Sequence, residues 1–347
     1  MIKVSIVGAT GYVGLELIRL LNIHPEISDL RLISKSSAGN RLIDIYPQFI
    51  NSKFKDCLLE EYTEKIISES DLVFTALPHG ISQEMVANIN KLGVKVIDMS
   101  GDYRYQDINI YNKWYNSEHK YSALARKAVY GLPEFNKEKI KEAEIIANPG
   151  CYPTASILGS LPLLENELIA KDSLIVDAKS GVSGAGRSLN HSLLFNEVNE
   201  NMKAYNITTH RHTSEIEYIL SQLSNKKGLN LIFTPHLIPI KRGILATIYG
   251  NLTKEIKESE IIEIYKEKYA KCSFVQVLEN CLPEIKYVVG SNNCQIGIKL
   301  DKRSNRVIVI STIDNMIKGS AGQAIQNMNI ISGYQEDTGL KATSFLP

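Results

Sequence analysis

Three groups of residues in this chain have the types and spacing to do chemistry. The first is the lone cysteine of "ANPGCYPT": Cys151 stands on a turn between a strand-like run and a segment with helical spacing. Burial is one reading, because free cysteine is a good small hydrophobe. Reactivity is the other. A helix start exposes unpaired N–H groups that favour thiolate over thiol, and Pro153 suits a first helical turn. The second group is "THRHTSEIE", with His210 and His212 as H-x-H and Glu215 three residues past His212. If "ITTHRHT" is a strand, the two histidines share one face. Thr213 or Ser214 then caps the helix that follows, and Glu215 in its first turn orients His212 as the acid/base partner a nucleophilic thiol needs. A satisfied core histidine is the alternative for His210. A metal site competes for the pair but lacks a local third ligand, so no metal is expected.

The third group is "VSIVGATGYVG", which places Gly8, Gly11 and Gly14 at intervals of three, after a strand and opening a helix. Glycine is needed where the turn is tight and backbone must approach a pyrophosphate, with the helix N-terminus supplying N–H donors. The spacing departs from the commoner G-x-G-x-x-G, and its strand–turn–helix context carries the weight. At the end of the second strand, where NAD-preferring folds place an acid, the chain reads "LISKSSAGNR": Ser34, Lys35, Ser36 and Ser37, with Arg41 following. Hydroxyls and a cation suit a 2′-phosphate, so NADP(H) is expected over NAD(H); a solvated loop is the plainer reading of Lys35 and Arg41. "DMSGDYR" ends on Arg104, and "PIKRGI" supplies Lys241 and Arg242. An arginine at the C-terminal edge of a parallel sheet is a candidate anion ligand. Together these groups describe a thiol enzyme that uses NADP(H) on a phosphorylated or anionic acyl substrate.

The elements that must position these groups divide into two halves. Strand runs at 3–7, 30–34, 71–77, 94–100 and 144–148 alternate with helical patterns at 14–24 and 82–93, as in a doubly wound parallel sheet. Later come longer β-branched runs at 173–181, 231–239, 244–252, 287–300 and 306–314, with helical patterns at about 189–205, 214–224 and 256–270. These read as a mixed, largely antiparallel sheet with helices on one face. A small, apolar segment at 318–332 is again helical. The boundary falls near Cys151, which puts the thiol at the domain junction, where clefts form.

Composition narrows the classes. A chain of 347 residues is too long for one ordinary core. Its 39 Lys and Arg against 38 Asp and Glu, a net charge of +1, argue against nucleic-acid or membrane-surface partners. No apolar run reaches the roughly 18 residues of a membrane span, and the start goes straight into a strand pattern, so a cytoplasmic protein is expected. The five cysteines are scattered and contain no C-x-x-C pair, which suggests neither a disulfide framework nor a zinc site.

The chain resembles the N-acetyl-gamma-glutamyl-phosphate reductases, within the aspartate-semialdehyde dehydrogenase superfamily. The resemblance runs through "GATGYVG", "SSAG", "ALPHG", "SGDYR", "YGLPE", "NPGCYPT", "DAKSGVSGAGR", "HRHTSEIE", "TPHLIPIKRG" and "KGSAGQAIQNMN" in that order. It departs from the wider superfamily in having Gly150 where asparagine usually precedes the nucleophile, and reads "GSNNCQIGI" where "GSNFCDIGI" would be usual. The resemblance implies a Rossmann-type NADP-binding domain (1–150, completed by the C-terminal segment 315–347) and an α+β catalytic and oligomerisation domain (151–314). It implies that Cys151 is the nucleophile, with His212 and Glu215 as its catalytic partners. Gly8, Thr10, Gly11, Tyr12, Gly14, Ser34, Ser36, Ser37, Pro78, Ser180, Gly181, Gly184 and Asn315 would line the cofactor. Arg104 would hold phosphate and Arg242 the substrate's charged end, roles that could be exchanged, with Lys241 and His210 beside them. The implied reaction is NADPH-dependent reduction of an acyl phosphate to a semialdehyde in arginine biosynthesis, by a homodimer or homotetramer. Rivals are aspartate-semialdehyde dehydrogenase, a lysine-pathway reductase, and a nucleotide-sensing regulator without turnover.

Overall fold

The structure, a computed structural model, describes residues 1–345; the last two positions of the expected 315–347 segment lie outside the described residues. The chain forms two compact units, one of Met1–Pro149 with Ser320–Lys341 and one of Gly150–Gly319 with the terminal residues.

The first unit holds a 7-stranded sheet in which every pairing is parallel. Its strands are β1 (Ile2–Val7), β2 (Ile27–Ile33), β3 (Leu59–Glu60), β4 (Leu72–Thr75), β5 (Lys95–Asp98), β6 (Val129–Tyr130) and β7 (Ile145–Ala147), in the order β3-β2-β1-β4-β5-β7-β6. β4 and β7 are buried along their whole length, as strands covered on both faces must be. The crossovers run through α1 (Tyr12–Ile23), α2 (Leu42–Ile45), α3 (Glu64–Ser68), α4 (Ile81–Lys91), α5 (Ile108–Tyr115), α6 (Ser122–Lys127) and α7 (Pro133–Lys141). The strand order turns around between β1 and β4, the point at which doubly wound sheets bind ligands.

The second unit is built around α8 (Cys151–Glu165), whose residues are buried from Tyr152 to Leu164. A helix apolar all round has to be enclosed. One side lies on the inner face of a second 7-stranded sheet, ordered β12-β13-β14-β11-β8-β10-β9. These strands are β8 (Ile175–Gly181), β9 (Lys203–Ala204), β10 (Ile232–Ile238), β11 (Ile244–Asn251), β12 (Val275–Leu278), β13 (Cys294–Asp301) and β14 (Arg306–Ile313). Between them run the short α9 (Phe195–Val198), α10 (Arg211–Leu223) and α11 (Glu258–Tyr269). Gly159 allows the closest approach of α8 to the sheet: a β-carbon there would strike Ile248 Cδ1. On its other side Tyr265 and Tyr269 of α11 donate hydroxyl hydrogen bonds to the Gly159 and Leu158 carbonyls, each 2.6 Å. Burial alternates along β11, so Leu245, Thr247 and Tyr249 point to the opposite, half-open face with Asp177, Lys179 and His236.

After the second unit the chain re-enters the first as α12 (Gly322–Ile331), buried throughout. Its amides replace backbone partners. Gln323 and Asn327 donate to the Gly131 carbonyl (3.1 and 2.9 Å), and Asn329 Oδ1 accepts from His24 Nε2 at 2.9 Å.

Several sequence expectations need correction. The strand over "ITTHRHT" is absent; a short strand ends at Ala204, and the helix begins at Arg211 with His210, not Thr213 or Ser214, as its N-cap. His210 Nδ1 takes the His212 N–H at 3.1 Å, a local bond that outcompetes extension. The helix at 189–205 reduces to one turn each at His191–Leu193 and Phe195–Val198, because the Asn190 side chain accepts the Ser192 N–H and Glu200 adopts a left-handed φ of 57°. The strand at 287–300 starts only at Cys294: Gly290 sits at φ 91°, and its N–H donates to Asp314 rather than to a neighbouring strand.

Candidate active site

Cys151 is the first residue of α8 and is half-buried; Gly150 caps the helix without a side chain. A thiol at a helix start stands by the positive end of the helix, a setting that favours thiolate. Gly319 stands behind it: a β-carbon at 319 would lie 2.8 Å from Cys151 Cβ. Glu215, fully buried on α10, accepts the Gly150 N–H on Oε1 at 2.9 Å. That bond ties α10 to the cap of α8.

The two histidines lie in an aromatic cluster next to the thiol. The His210 and His212 ring centroids are 4.8 Å apart, and Tyr152 lies 5.8 and 5.9 Å from them. Tyr205 and Phe233 each stand 5.5 Å from His210. The Tyr205 hydroxyl donates to that of Tyr152 (3.3 Å), which donates to the His236 carbonyl (3.1 Å). Burial, and then the Arg211 charge, push the His210 pKa down to about 4. Burial raises Tyr205 to about 12 and Tyr152 well above the ordinary tyrosine value. Both phenols are thus neutral donors.

Three loops of the second unit zip together by backbone. Gly181, Val182 and Ser183 N–H groups donate to the carbonyls of Gly243, Ile240 and Lys241 at 2.9 to 3.1 Å. A side chain at 181 would meet the Arg242 nitrogen at 2.8 Å. Ser180 is buried there, and Gly184 is exposed. Asn315 spans the join, accepting the Gly243 N–H (2.7 Å) and donating to Ser183 Oγ (3.0 Å). Arg242 pairs with the fully buried Asp314 at 3.7 Å, and Lys241 is exposed.

In the first unit Gly8 has φ 90°, and a β-carbon on it would strike the Ala76 carbonyl; one on Gly14 would lie 2.5 Å from the Gly8 carbonyl. Gly11 caps α1 with no side-chain bond and no acid in the first turn. Glycine is thus required at 8 and 14, and the positive end of α1 faces a turn whose backbone can approach a pyrophosphate, so the residues present fit a dinucleotide. Thr10 and Ser34 share a 3.1 Å hydroxyl bond; Tyr12, Lys35 and Ser36 are exposed, and Ser37 half-exposed. Arg41 is paired with Asp44 at 2.8 Å rather than aimed at the serines. Pro78 is exposed in a loop whose next residues are fastened: Gly101 N–H donates to His79 Nδ1 (2.8 Å), and Gly80 N–H to both oxygens of Asp102 (3.0 and 2.8 Å). Burial beside Asp98 pushes Asp102 up to about 6. Arg104, expected as an anion ligand, is buried and donates from Nε to the Asn148 carbonyl (2.8 Å) and from Nη2 to Met99 (3.2 Å).

The sequence reading had not singled out Asp98, Asp102, Tyr152, Tyr205 or Gly319. Tyr152, Asp98, Asp102 and Gly319 lie inside motifs quoted above; Tyr205 carries no local signal, because its neighbours come from distant parts of the chain. Among the described residues no group of His, Cys, Asp and Glu is arranged to hold a metal, and no helix is long and apolar enough to cross a membrane.

Residues 3–143 match the family model described as "Semialdehyde dehydrogenase, NAD binding domain", and residues 151–315 the one described as "Semialdehyde dehydrogenase, dimerisation domain". The N-acetyl-gamma-glutamyl-phosphate reductase of Halothermothrix orenii is 52% identical over 349 residues, covering 100% of both chains. That of Caldicellulosiruptor bescii is 54% identical over 340 residues, 98% of each. The chain belongs to the N-acetyl-gamma-glutamyl-phosphate reductase family. Solved structures carry the same fold: aspartate semialdehyde dehydrogenase II from Vibrio cholerae superposes with a TM-score of 0.74 at 17% identity, over 96% of this chain and 99% of that one. Aspartate semialdehyde dehydrogenase with NADP from Candida albicans gives 0.72 at 18%, over 96% and 99%. The two family matches together take in the glycine turn and Cys151, so both belong to one N-acetyl-gamma-glutamyl-phosphate reductase chain.

Proposed function

We infer that this protein catalyses NADPH-dependent reduction of N-acetyl-L-glutamyl 5-phosphate to N-acetyl-L-glutamate 5-semialdehyde, releasing phosphate, in the cytoplasmic synthesis of arginine. The observation that carries this reading is Cys151 opening the enclosed helix α8, beside the histidine cluster, in a chain of this family. The Cys151 thiolate attacks the γ-carbonyl, the phosphate leaves with the C–O bonding pair, and a thioester remains. First-turn N–H groups of α8 hold the developing oxyanion, a contribution of about 3–4 kcal/mol per donor. When bound, NADPH would supply a hydride to the thioester carbonyl, giving a thiohemiacetal; the Gly8–Gly14 turn would hold its pyrophosphate, Ser34 to Ser37 its ribose phosphate, and Pro78 and Ser180–Gly184 would line the rest. His212 gives and takes the proton as the thiohemiacetal collapses to aldehyde and free thiol. Arg242, with Lys241, receives the substrate's charged end, and Asn315 shapes the loop at Ser183. Arg104 braces Met99 and Asn148.

The cofactor choice rests on the Ser34–Ser37 run. Because Arg41 is taken by Asp44, Lys35 and Ser36 hold the 2′-phosphate. NADPH is expected to bind at least about tenfold tighter than NADH, and Ser36→Asp with Lys35→Glu to reverse the order, since each places an anion against the phosphate. Titration calorimetry with both nucleotides measures it; an unaltered ratio in the double variant removes the assignment. A second copy of the chain covers the half-open sheet face that carries Leu245, Thr247 and Tyr249, giving a homodimer or a dimer of dimers.

The test runs the reaction backwards, with phosphate and NADP, on N-acetylglutamate semialdehyde and aspartate semialdehyde in parallel. Turnover of the first is expected. Turnover of the second alone makes the protein an aspartate-semialdehyde dehydrogenase, and none with either leaves a nucleotide-binding regulator.

A further inference from the structure

His210 is an unusual residue to start a helix. It has extended backbone (φ −69°, ψ 126°), and its Nδ1 accepts the N–H of His212, the second residue of α10, at 3.1 Å. Only an unprotonated Nδ1 can accept, so the ring hydrogen is on Nε2 and the imidazole is neutral. Protonation would break the cap and place a cation at the positive end of a helix. The same ring is wedged between Tyr152, Tyr205 and Phe233, and meets His212 at 4.8 Å with the planes inclined by 56°. One side chain thus sets where α10 begins and what the His212 ring rests against.

We propose that His210 is a positioning residue for the reaction: its neutral imidazole caps α10 and buttresses His212, fixing that ring's direction and keeping its surroundings free of an added charge. This rests on the reading of His212 as the acid/base. It differs from the role expected of His210, contact with substrate. The titratable and charged groups around the pair are Cys151 and Tyr152 on α8, Arg211 and Glu215 on α10, and Tyr205 after β9. Tyr152 and Tyr205 are held neutral by burial, so the charges beside the pair come from its other neighbours, Arg211 among them. A neutral residue at 210 adds nothing to them; an anion there would raise the affinity of His212 for a proton.

Asparagine and aspartate are both good helix caps, so they separate the cap from the ring and from the charge. For His210→Asn we expect kcat in the reverse direction to fall about tenfold with KM for the semialdehyde unchanged, and for His210→Ala about a hundredfold, since cap and buttress both go. For His210→Asp we expect the acid limb of kcat/KM, which reports the Cys151–His212 pair, to move up by about 0.5–1 pH unit. A limb that stays in place in His210→Asp, or a raised KM with kcat intact in His210→Asn, overturns the proposal; the second result returns His210 to the substrate. His212→Asn is run alongside. If it keeps turnover, the acid/base assignment itself is wrong. If it is inactive while His210→Asp titrates like the parent, only the positioning role fails.

Discussion

Replacing Cys151 by serine is expected to reduce turnover by on the order of 10⁴-fold or more while the protein still folds and binds nucleotide. The hydroxyl is smaller than the thiol it replaces, and the site at the start of α8 is only half-buried, so packing loses little. Nucleotide affinity should survive because the Gly8–Gly14 turn, proposed to hold the pyrophosphate, belongs to the other compact unit. What disappears is the nucleophile. First-turn N–H groups lower a thiol into the range where it ionises, but a hydroxyl starts too high for the same dipoles to reach. NADP reduction with phosphate and semialdehyde measures the loss, and calorimetry with NADP checks the binding. Near-native turnover in Cys151→Ser would show that the sulfur takes no part.

The second large effect is expected at His212. Asparagine keeps a polar side chain of similar reach but moves no proton, so turnover should fall by about 10²–10⁴-fold, the usual contribution of a positioned acid or base. Folding and nucleotide affinity should hold, since the cap of α10 comes from His210 and not from this ring. The acid limb of the pH profile should also move: with no imidazole to share the titration, the residual rate rises with ionisation of the thiol alone. A residual rate that keeps the parent limb would move the proton transfer to another group, for which the Tyr152–Tyr205 pair beside the histidines is the candidate.

Periodicity made much of this fold legible. The β-branched runs that become β1, β8, β11 and β14 lie within a residue or two of their expected bounds, because burial on one or both faces leaves a clear pattern. The glycine turn was equally readable, since Gly8 and Gly14 are places where no side chain fits. The failures came where a side chain bonded its own backbone. His210 and Asn190 each capture a nearby N–H, and no hydrophobic period records such a bond. Charged residues are harder to read for a related reason: the partners of Arg104 and Arg41, the Asn148 and Met99 carbonyls and Asp44, leave no trace in spacing. The thiol itself was legible in type, but the carboxylate that fastens its helix cap, Glu215, lies 65 residues away.

The return of α12 to the first unit has a consequence for biosynthesis. The sheet strands of that unit are complete by Ala147, yet the helix whose Gln323 and Asn327 occupy the Gly131 carbonyl is synthesised only after the whole second unit has emerged. A nascent chain therefore carries an unfinished nucleotide-binding half through most of translation, with the apolar ground that α12 will cover still exposed. Domains commonly fold in order from the N-terminus. Here the earlier half must wait for the later one: its sheet can form first, but the ground that α12 covers closes only once residues 322–331 have been made.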